Sequence, residues 1–306
     1  MTTDFEAARD ALRDKELFVF DMDGTIYLGE RVFDEARRFI KSLRDAGRKV
    51  LFFTNNASRS VGVYYERLQK MGFEPRDGEV MTSGDVTARY LLAEYPDASV
   101  YAVGTPDLLR SLREYGVRLI SGDDGTPDGD VKPDGEPSNF DTTPTYANHR
   151  VPDIVLTSFD TTLTYDKLRL ACNFIARGAR FFSTHPDFNC PAEDGFLPDS
   201  GAICALITAS TGVEPTYFGK PTALCAETIA RSCGTAKEKT VMFGDRLYTD
   251  VATARRAGMT SVLMMTGETT EDMLRADLPD DQRADVIAPD MAWVELAWTQ
   301  ASGQAR

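Results

Sequence analysis

Short apolar runs alternate with stretches of helical period along most of this chain. Leu17–Asp21 reads as a strand. Asp34–Ala46 sets Ala36, Phe39, Ile40 and Leu43 on one face, with Gly47 as the stop, and reads as a helix. The same reasoning predicts strands over Lys49–Asn55, Glu79–Ser83, Ser99–Val103, Asp153–Ser158, Ala179–Thr184, Thr240–Gly244 and Ser261–Met265. Helices are predicted over Ser60–Met71, Asp85–Glu94, Tyr165–Arg177, Ser200–Thr211, Thr222–Ser232 and Thr249–Ala257. Such alternation implies parallel strands joined by helical crossovers, an α/β fold. In these folds ligands bind at the carboxyl ends of the strands. One segment breaks the rhythm: Ser121–Arg150 is rich in Asp, Gly, Pro and Thr and has no apolar period. It reads as a long surface insertion. Asp123-Asp124-Gly125 and Asp128-Gly129-Asp130 hint at calcium, but EF-hand spacing is absent, so a solvated acidic loop is the expectation. No internal repeat of fixed period occurs.

Composition narrows the class. The chain has 306 residues, 42% of them hydrophobic and 27% charged, as in a globular protein with a sizeable core. Its longest apolar runs, such as Leu17–Phe20 and Val262–Met265, are too short for a membrane span. The net charge of −14 opposes binding to a nucleic-acid polymer, although a local site for a small anion remains compatible with it. Cys172, Cys190, Cys204, Cys225 and Cys233 form no C-x-x-C pair, which argues against a disulfide framework or a zinc knuckle. His149 and His185 are the only histidines, too few for a His-rich metal site. Met1–Glu16 lacks an apolar signal core, which predicts a cytoplasmic protein, so the glycosylation-like Asn56-Ala57-Ser58 carries no weight.

Four signals fall at predicted strand ends or in the loops just beyond. Asp21-Met22-Asp23-Gly24-Thr25 supplies two carboxylates two residues apart, with Gly24 to turn the backbone. Thr54-Asn55-Asn56 offers a hydroxyl and backbone N–H groups for a phosphate oxygen. Gly219-Lys220-Pro221 holds an ammonium between two backbone-restricting residues. Thr240–Gly244 runs into Asp245, with Asp250 at the start of the next helix, a pair suited to a hard cation. Taken singly, each also fits an ordinary capped turn or a surface lysine. Together they supply what phosphoryl transfer through an aspartyl-phosphate requires. No P-loop motif occurs.

With these residues in this order the chain resembles the haloacid dehalogenase superfamily of phosphatases, in particular its class IIA, the NagD and p-nitrophenyl phosphatase group. The class marks are Thr54-Asn55-Asn56, Thr184-His185-Pro186-Asp187, Gly219-Lys220-Pro221 and Gly244-Asp245-Arg246. The resemblance runs from about Leu17 to about Gly267 apart from the insertion. It implies a Rossmann-like parallel-sheet core over residues 1–84 and 181–306, with an inserted α/β cap domain over residues 85–180 that closes over the substrate. It further implies that Asp21 is the nucleophile and Asp23 the general acid and base. One Mg²⁺ would be held by Asp21, the Asp23 carbonyl and Asp245. Thr54, Asn55, Asn56 and Lys220 would bind phosphate, with Asp250 orienting metal waters or Lys220. The implied reaction is hydrolysis of a small phosphorylated metabolite: a sugar phosphate, nucleoside monophosphate, phosphoglycolate, glycerol phosphate or aryl phosphate.

Tyr248 stands where many class members carry Asp, and His185 where Asn is common. His185 could touch substrate or simply pack; packing is the expectation. Asp160 and Thr161 lie in a cap segment that the class directs at the active site, and could select the leaving group or merely cap the next helix. A phosphomutase and a non-catalytic ligand-sensing module on the same fold are the alternatives. The sequence leaves the oligomeric state open, a homo-oligomer included.

Overall fold

The computed structural model describes residues 4–120, 151–192 and 195–302, so the expected insertion at 121–150 lies outside the described residues. The chain divides into two compact units, Met1–Arg89 together with Phe218–Arg306, and Tyr90–Tyr217. The first unit begins with β1 (Leu17–Phe20), a small antiparallel hairpin of β2 (Tyr27–Leu28) and β3 (Arg31–Val32), then β4 (Lys49–Thr54) and β5 (Val80–Thr82). The second holds β6 (Val100–Val103), β7 (Ile154–Thr157), β8 (Arg180–Ser183), the antiparallel hairpin of β9 (Asn189–Ala192) and β10 (Gly195–Pro198), and β11 (Thr216–Tyr217). The chain returns to the first unit with β12 (Thr240–Gly244), β13 (Thr260–Met264) and β14 (Val286–Ala288).

The first unit is built on a six-stranded sheet in the order β14-β13-β12-β1-β4-β5, every neighbouring pair parallel. All four residues of β1 are buried, as befits a central parallel strand covered on both faces. Their period of two splits them between two cores. Phe18 and Phe20 meet Phe52, Phe243, Phe39 of helix Asp34–Asp45 and Trp298 of helix Met291–Ala301. Leu17 and Val19 face Leu51, Phe53 and Met242, closed over by helices Ala223–Ser232 and Ala252–Ala257. The strand and helix expectations in this unit hold to within a few residues. The pattern did not reveal helices Phe5–Leu12 and Met291–Ala301 or the three-residue β14.

The second unit has its own parallel sheet, β11-β8-β7-β6. Tyr101, Val155 and Phe181 on its strands pack with Leu170 and Phe174 of helix Tyr165–Ala176 and with Ile203 and Ile207 of helix Ser200–Thr211. Helix Pro106–Tyr115, capped by Thr105, was not foreseen. The return to the first unit comes at Phe218, not at the expected Phe181. The reason is β8: its backbone is hydrogen-bonded to β7, and Phe181 lies in this unit's core. The other boundary falls within helix Ser83–Glu94, a few residues beyond the expected Asp85. All five cysteines are free thiols, and no helix among the described residues is long and apolar enough to cross a membrane.

Phe39 is fully buried, its ring edge-on to Phe18, Phe20, Phe243 and Trp298 at centroid distances of 5.9–6.2 Å. Phe39→Ala should cost about 3–5 kcal/mol in urea-induced unfolding, because the sheet and two helices cannot collapse into the space vacated.

Candidate active site

The register of the three central strands determines which residues share the carboxyl edge. Phe20 of β1 is level with Phe52 of β4 and Phe243 of β12. The ladder continues one residue further, where the Asp21 N–H donates to the Phe243 carbonyl at 2.8 Å. Asp21, Asp245 and the Thr54–Asn55 step therefore leave the sheet within two residues of one another in register. Met22 is buried in the core, so the extended chain turns Asp21 and Asp23 to the same, opposite face. The turn is then closed by N–H groups of Thr25 and Ile26 on the Met22 carbonyl and of Gly24 on the Tyr27 carbonyl. Gly24 has φ +83°, and a methyl group there would collide with the Asp245 carboxylate. Only glycine meets both conditions. Asp23 is exposed, and its carboxylate accepts from the Gly29 N–H at 3.3 Å.

Lys220 is buried and its ammonium donates to Asp21 and, at 2.7 Å, to Asp250. Its Nζ also lies 5.5 Å from the centre of the Phe53 ring. Its position is fixed through the backbone: the Asn55 side chain accepts from the Lys220 N–H at 2.8 Å and donates to the Lys220 carbonyl at 3.0 Å. Asn55 thus has a positioning role that sequence reasoning missed, and its side chain is committed to Lys220. Asn56 donates its N–H to the Thr54 hydroxyl at 3.2 Å, while its side chain caps Ser58. Asp250 sits in a π-helical turn, Leu247–Val251, and its second oxygen accepts from the Arg246 N–H at 3.2 Å.

Asp245 is held by a loop that sequence reasoning did not single out. Its Oδ2 accepts from the Glu268 N–H at 2.6 Å, and its carbonyl accepts from the Thr269 hydroxyl. Thr266 bonds the Gly24 carbonyl at 2.6 Å, and Gly267 presses against the Asp245 carboxylate so closely that a side chain there would clash. The available signal was the position of this Thr-Gly-Glu-Thr stretch, just beyond a predicted strand. Tyr248 is partly exposed and donates to Glu268 at 2.8 Å.

Electrostatically the site has an excess of negative charge. Oxygens of Asp21, Asp245 and Asp250 all lie within 4.8 Å of one another, with Lys220 as the ammonium among them. Burial pushes the Asp21 carboxyl well above the usual carboxylate range; Lys220 opposes this, and Asp250 and Asp245 reinforce it. Burial and then the charge of Asp250 push Asp245 up to about 6, against the Glu268 N–H. Burial alone would lower the Lys220 ammonium, but Asp21 and Asp250 reverse this and hold it above the ordinary lysine range. Asp245 Oδ1 is buried and has no hydrogen-bond partner. A buried carboxylate oxygen left open among other carboxylates fits a hard divalent cation, which takes oxygen ligands at about 2.0–2.6 Å.

The remaining predicted residues, Asp160, Thr161 and His185, lie in the second unit. Asp160 is buried in an ion pair with Lys167 at 2.8 Å and accepts from the Thr162 N–H and hydroxyl. Thr161 is exposed. His185 is fully buried, with Nδ1 at 2.8 Å from the Thr184 hydroxyl and Nε2 at 2.8 Å from Asp199.

Comparison with known proteins adds independent findings. Residues 18–118 match the haloacid dehalogenase-like hydrolase family and residues 217–294 a second, HAD-hydrolase-like one. The chain is 33% identical to the 5'-nucleotidase YutF of Bacillus subtilis over 261 residues, 85% of this chain and 91% of that protein. It is 32% identical to an acid sugar phosphatase of Staphylococcus aureus over 269 residues, 88% of this chain and 93% of that one. Among solved structures, the 4-nitrophenylphosphatase of Thermotoga maritima aligns with a TM-score of 0.77 and 35% identity, covering 94% of this chain and 99% of that chain.

The carboxylate cluster generates a pH-dependent prediction. A carboxyl raised in the folded state favours folding at low pH, and that contribution is lost as pH rises through its folded value, here about 6 for Asp245. The metal-free protein should therefore lose stability from about pH 4 to above pH 6. A cation must displace those protons at low pH. Saturating Mg²⁺ should raise the melting temperature by about 5 °C at pH 8 and by little at pH 5. Differential scanning calorimetry with Mg²⁺ and with EDTA measures both. Equal shifts at the two pH values would show that the ion binds elsewhere.

Proposed function

Because the chain belongs to the haloacid dehalogenase-like hydrolases, we propose that it is a Mg²⁺-dependent phosphatase that hydrolyses phosphate monoesters of small metabolites through a phosphorylated Asp21. The observation that carries this reading is the juxtaposition of the Asp21 carboxylate, the Lys220 ammonium and the unpartnered Asp245 oxygen at the ends of adjacent strands. Nucleoside monophosphates and sugar phosphates are the substrates to test first, since the relatives named above are a 5'-nucleotidase and an acid sugar phosphatase.

In the first step the Asp21 carboxylate attacks phosphorus, forming an acyl phosphate while the P–O bond to the alcohol breaks. Asp23, exposed two residues away on the same face, gives its proton to the departing oxygen. In the second step the Asp23 carboxylate takes a proton from water, and that water attacks the same phosphorus, releasing inorganic phosphate and free Asp21. Lys220 neutralises charge beside Asp21, and the Asn55 clamp keeps it there without reorganisation. The Thr54 hydroxyl and backbone N–H groups after β4 receive phosphoryl oxygens. Asp21, Asp245 and the Asp23 carbonyl would hold Mg²⁺, which supplies electrostatic relief between the nucleophile and an anionic phosphate. Asp250 secures Lys220. The unit Tyr90–Tyr217 takes the part of the family's cap domain.

With p-nitrophenyl phosphate and Mg²⁺, phosphate release should be measurable and should stop on addition of EDTA. Asp21→Asn should lower kcat at least about 10³-fold with an unchanged circular dichroism spectrum. Asp23→Asn should lower it about 10²- to 10⁴-fold, the usual value of a positioned acid and base. Near wild-type turnover by Asp21→Asn would remove it as the nucleophile.

A further inference from the structure

We infer that Arg67, on helix Val61–Lys70, is a positioning residue for Asp23: it anchors the β2–β3 hairpin, whose backbone orients the carboxyl group that protonates the leaving alcohol. The role presupposes the phosphatase reaction proposed above.

Asp23 needs such help. It is exposed, and its carboxylate has one hydrogen-bond partner among the described residues, the Gly29 N–H at 3.3 Å. An N–H can only donate, so the oxygen that faces it, Oδ1, is an acceptor, and the proton that Asp23 gives away sits on Oδ2. Gly29 thereby decides which oxygen is the acid and where it points. Yet Gly29 lies at the tip of a hairpin whose strands are two residues each, and Leu28, Gly29, Glu30 and Arg31 are all exposed. A ladder that short is marginal by itself.

Arg67 supplies what the ladder lacks. Its Nη2 donates to the Gly29 carbonyl at 3.0 Å, and its guanidinium lies over the Tyr27 ring, 4.8 Å from the centroid. Gly29 is therefore held on both sides, its N–H on Asp23 and its carbonyl on Arg67. Tyr27 closes the turn that follows Asp21: its backbone is bridged to Asp23, and its carbonyl accepts from the Gly24 N–H at 2.7 Å. One guanidinium thus grips both hairpin residues that touch the Asp23-Gly24 step. The helix that carries it is itself fixed. Tyr64 and Leu68 are buried in the core, and the Tyr64 hydroxyl donates to the Asn56 carbonyl at 3.0 Å. Arg67, three residues after Tyr64, springs from the edge of that buried face. A planar group that stacks on a ring and donates at its rim is particular to arginine. Arg67 also lies 3.8 Å from Glu30, but Glu30 is 96% exposed, and an ion pair in water contributes little.

Two substrates with the same ring and different leaving groups test this. p-Nitrophenolate departs as a stable anion and needs little from an acid, whereas the phenolate of phenyl phosphate is more basic and needs the proton. kcat/KM covers only the steps up to departure of the alcohol, so the later role of Asp23 as base does not enter. With Mg²⁺ present, Arg67→Met should lower kcat/KM about tenfold for phenyl phosphate and by no more than about twofold for p-nitrophenyl phosphate. The ratio between the two substrates does not depend on how much of the variant is folded. Arg67→Lys, which can still donate to the Gly29 carbonyl, should recover part of the ratio, and Glu30→Gln should leave it unchanged. In an Asp23→Asn background, Arg67→Met should change the ratio no further, because the acid it positions is gone. A loss of equal size for both substrates, no loss, or an undiminished change of ratio in the Asp23→Asn background overturns the role of Arg67 and leaves the phosphatase reading standing. An Asp23→Asn variant that keeps the wild-type ratio removes the acid assignment itself, and the role of Arg67 with it.

Discussion

Parallel strands that end level with one another deliver the next residues of each into a single small volume. In this sheet β12, β1 and β4 end within two residues of a common level, and the residues just past β12 and β1 are acidic. Three carboxylates and one ammonium then occupy a largely buried corner. Water cannot dilute that charge, so the protein must contain it by other means. Lys220 is held by two carboxylates in front and by the Asn55 amide behind. Gly24, Gly244 and Gly267 keep the space around Asp245 and Asp250 clear. The arrangement is costly for folding and useful for chemistry, because a site short of positive charge attracts a cation and orients it without rearrangement.

Much of this was readable from the sequence for a local reason. β1, β4 and β12 are apolar runs that end abruptly in Asp or Thr, and helix Asp34–Asp45 has a clean apolar stripe. Those signals depend only on neighbours within a turn or two. The features that escaped depend on distant partners. The Asn55 side chain went unassigned because nothing local announces a bond to Lys220, 165 residues away. The Thr266–Thr269 loop has no sequence signature of its own and matters because β13 lies beside β12. Phe181 was placed in the wrong unit because an apolar strand reads the same in either sheet; pairing with β7 decided it.

The second unit handles polar groups differently. Asp160 and Lys167 neutralise each other inside it, and His185 links Thr184 to Asp199 in a chain of buried hydrogen bonds that continues to Ser158. These buried polar groups are satisfied from within the protein, which makes a rigid scaffold. In the first unit a buried oxygen of Asp245 is left open. One unit closes its polar network on itself, while the other keeps a buried acceptor uncommitted, a common mark of a working site.

The position of β12 has a consequence for how the chain is made. β1 lies between β4 and β12, yet β12 begins 223 residues after β1. At about 5–20 residues per second, a ribosome takes roughly 11–45 s to deliver it once β1 has emerged. Throughout that interval one edge of a wholly apolar strand is unpaired, while the whole of Tyr90–Tyr217 has time to fold. The nascent chain therefore carries an open β-edge while those 223 residues are made, and this is the stage at which aggregation or chaperone capture would act on it.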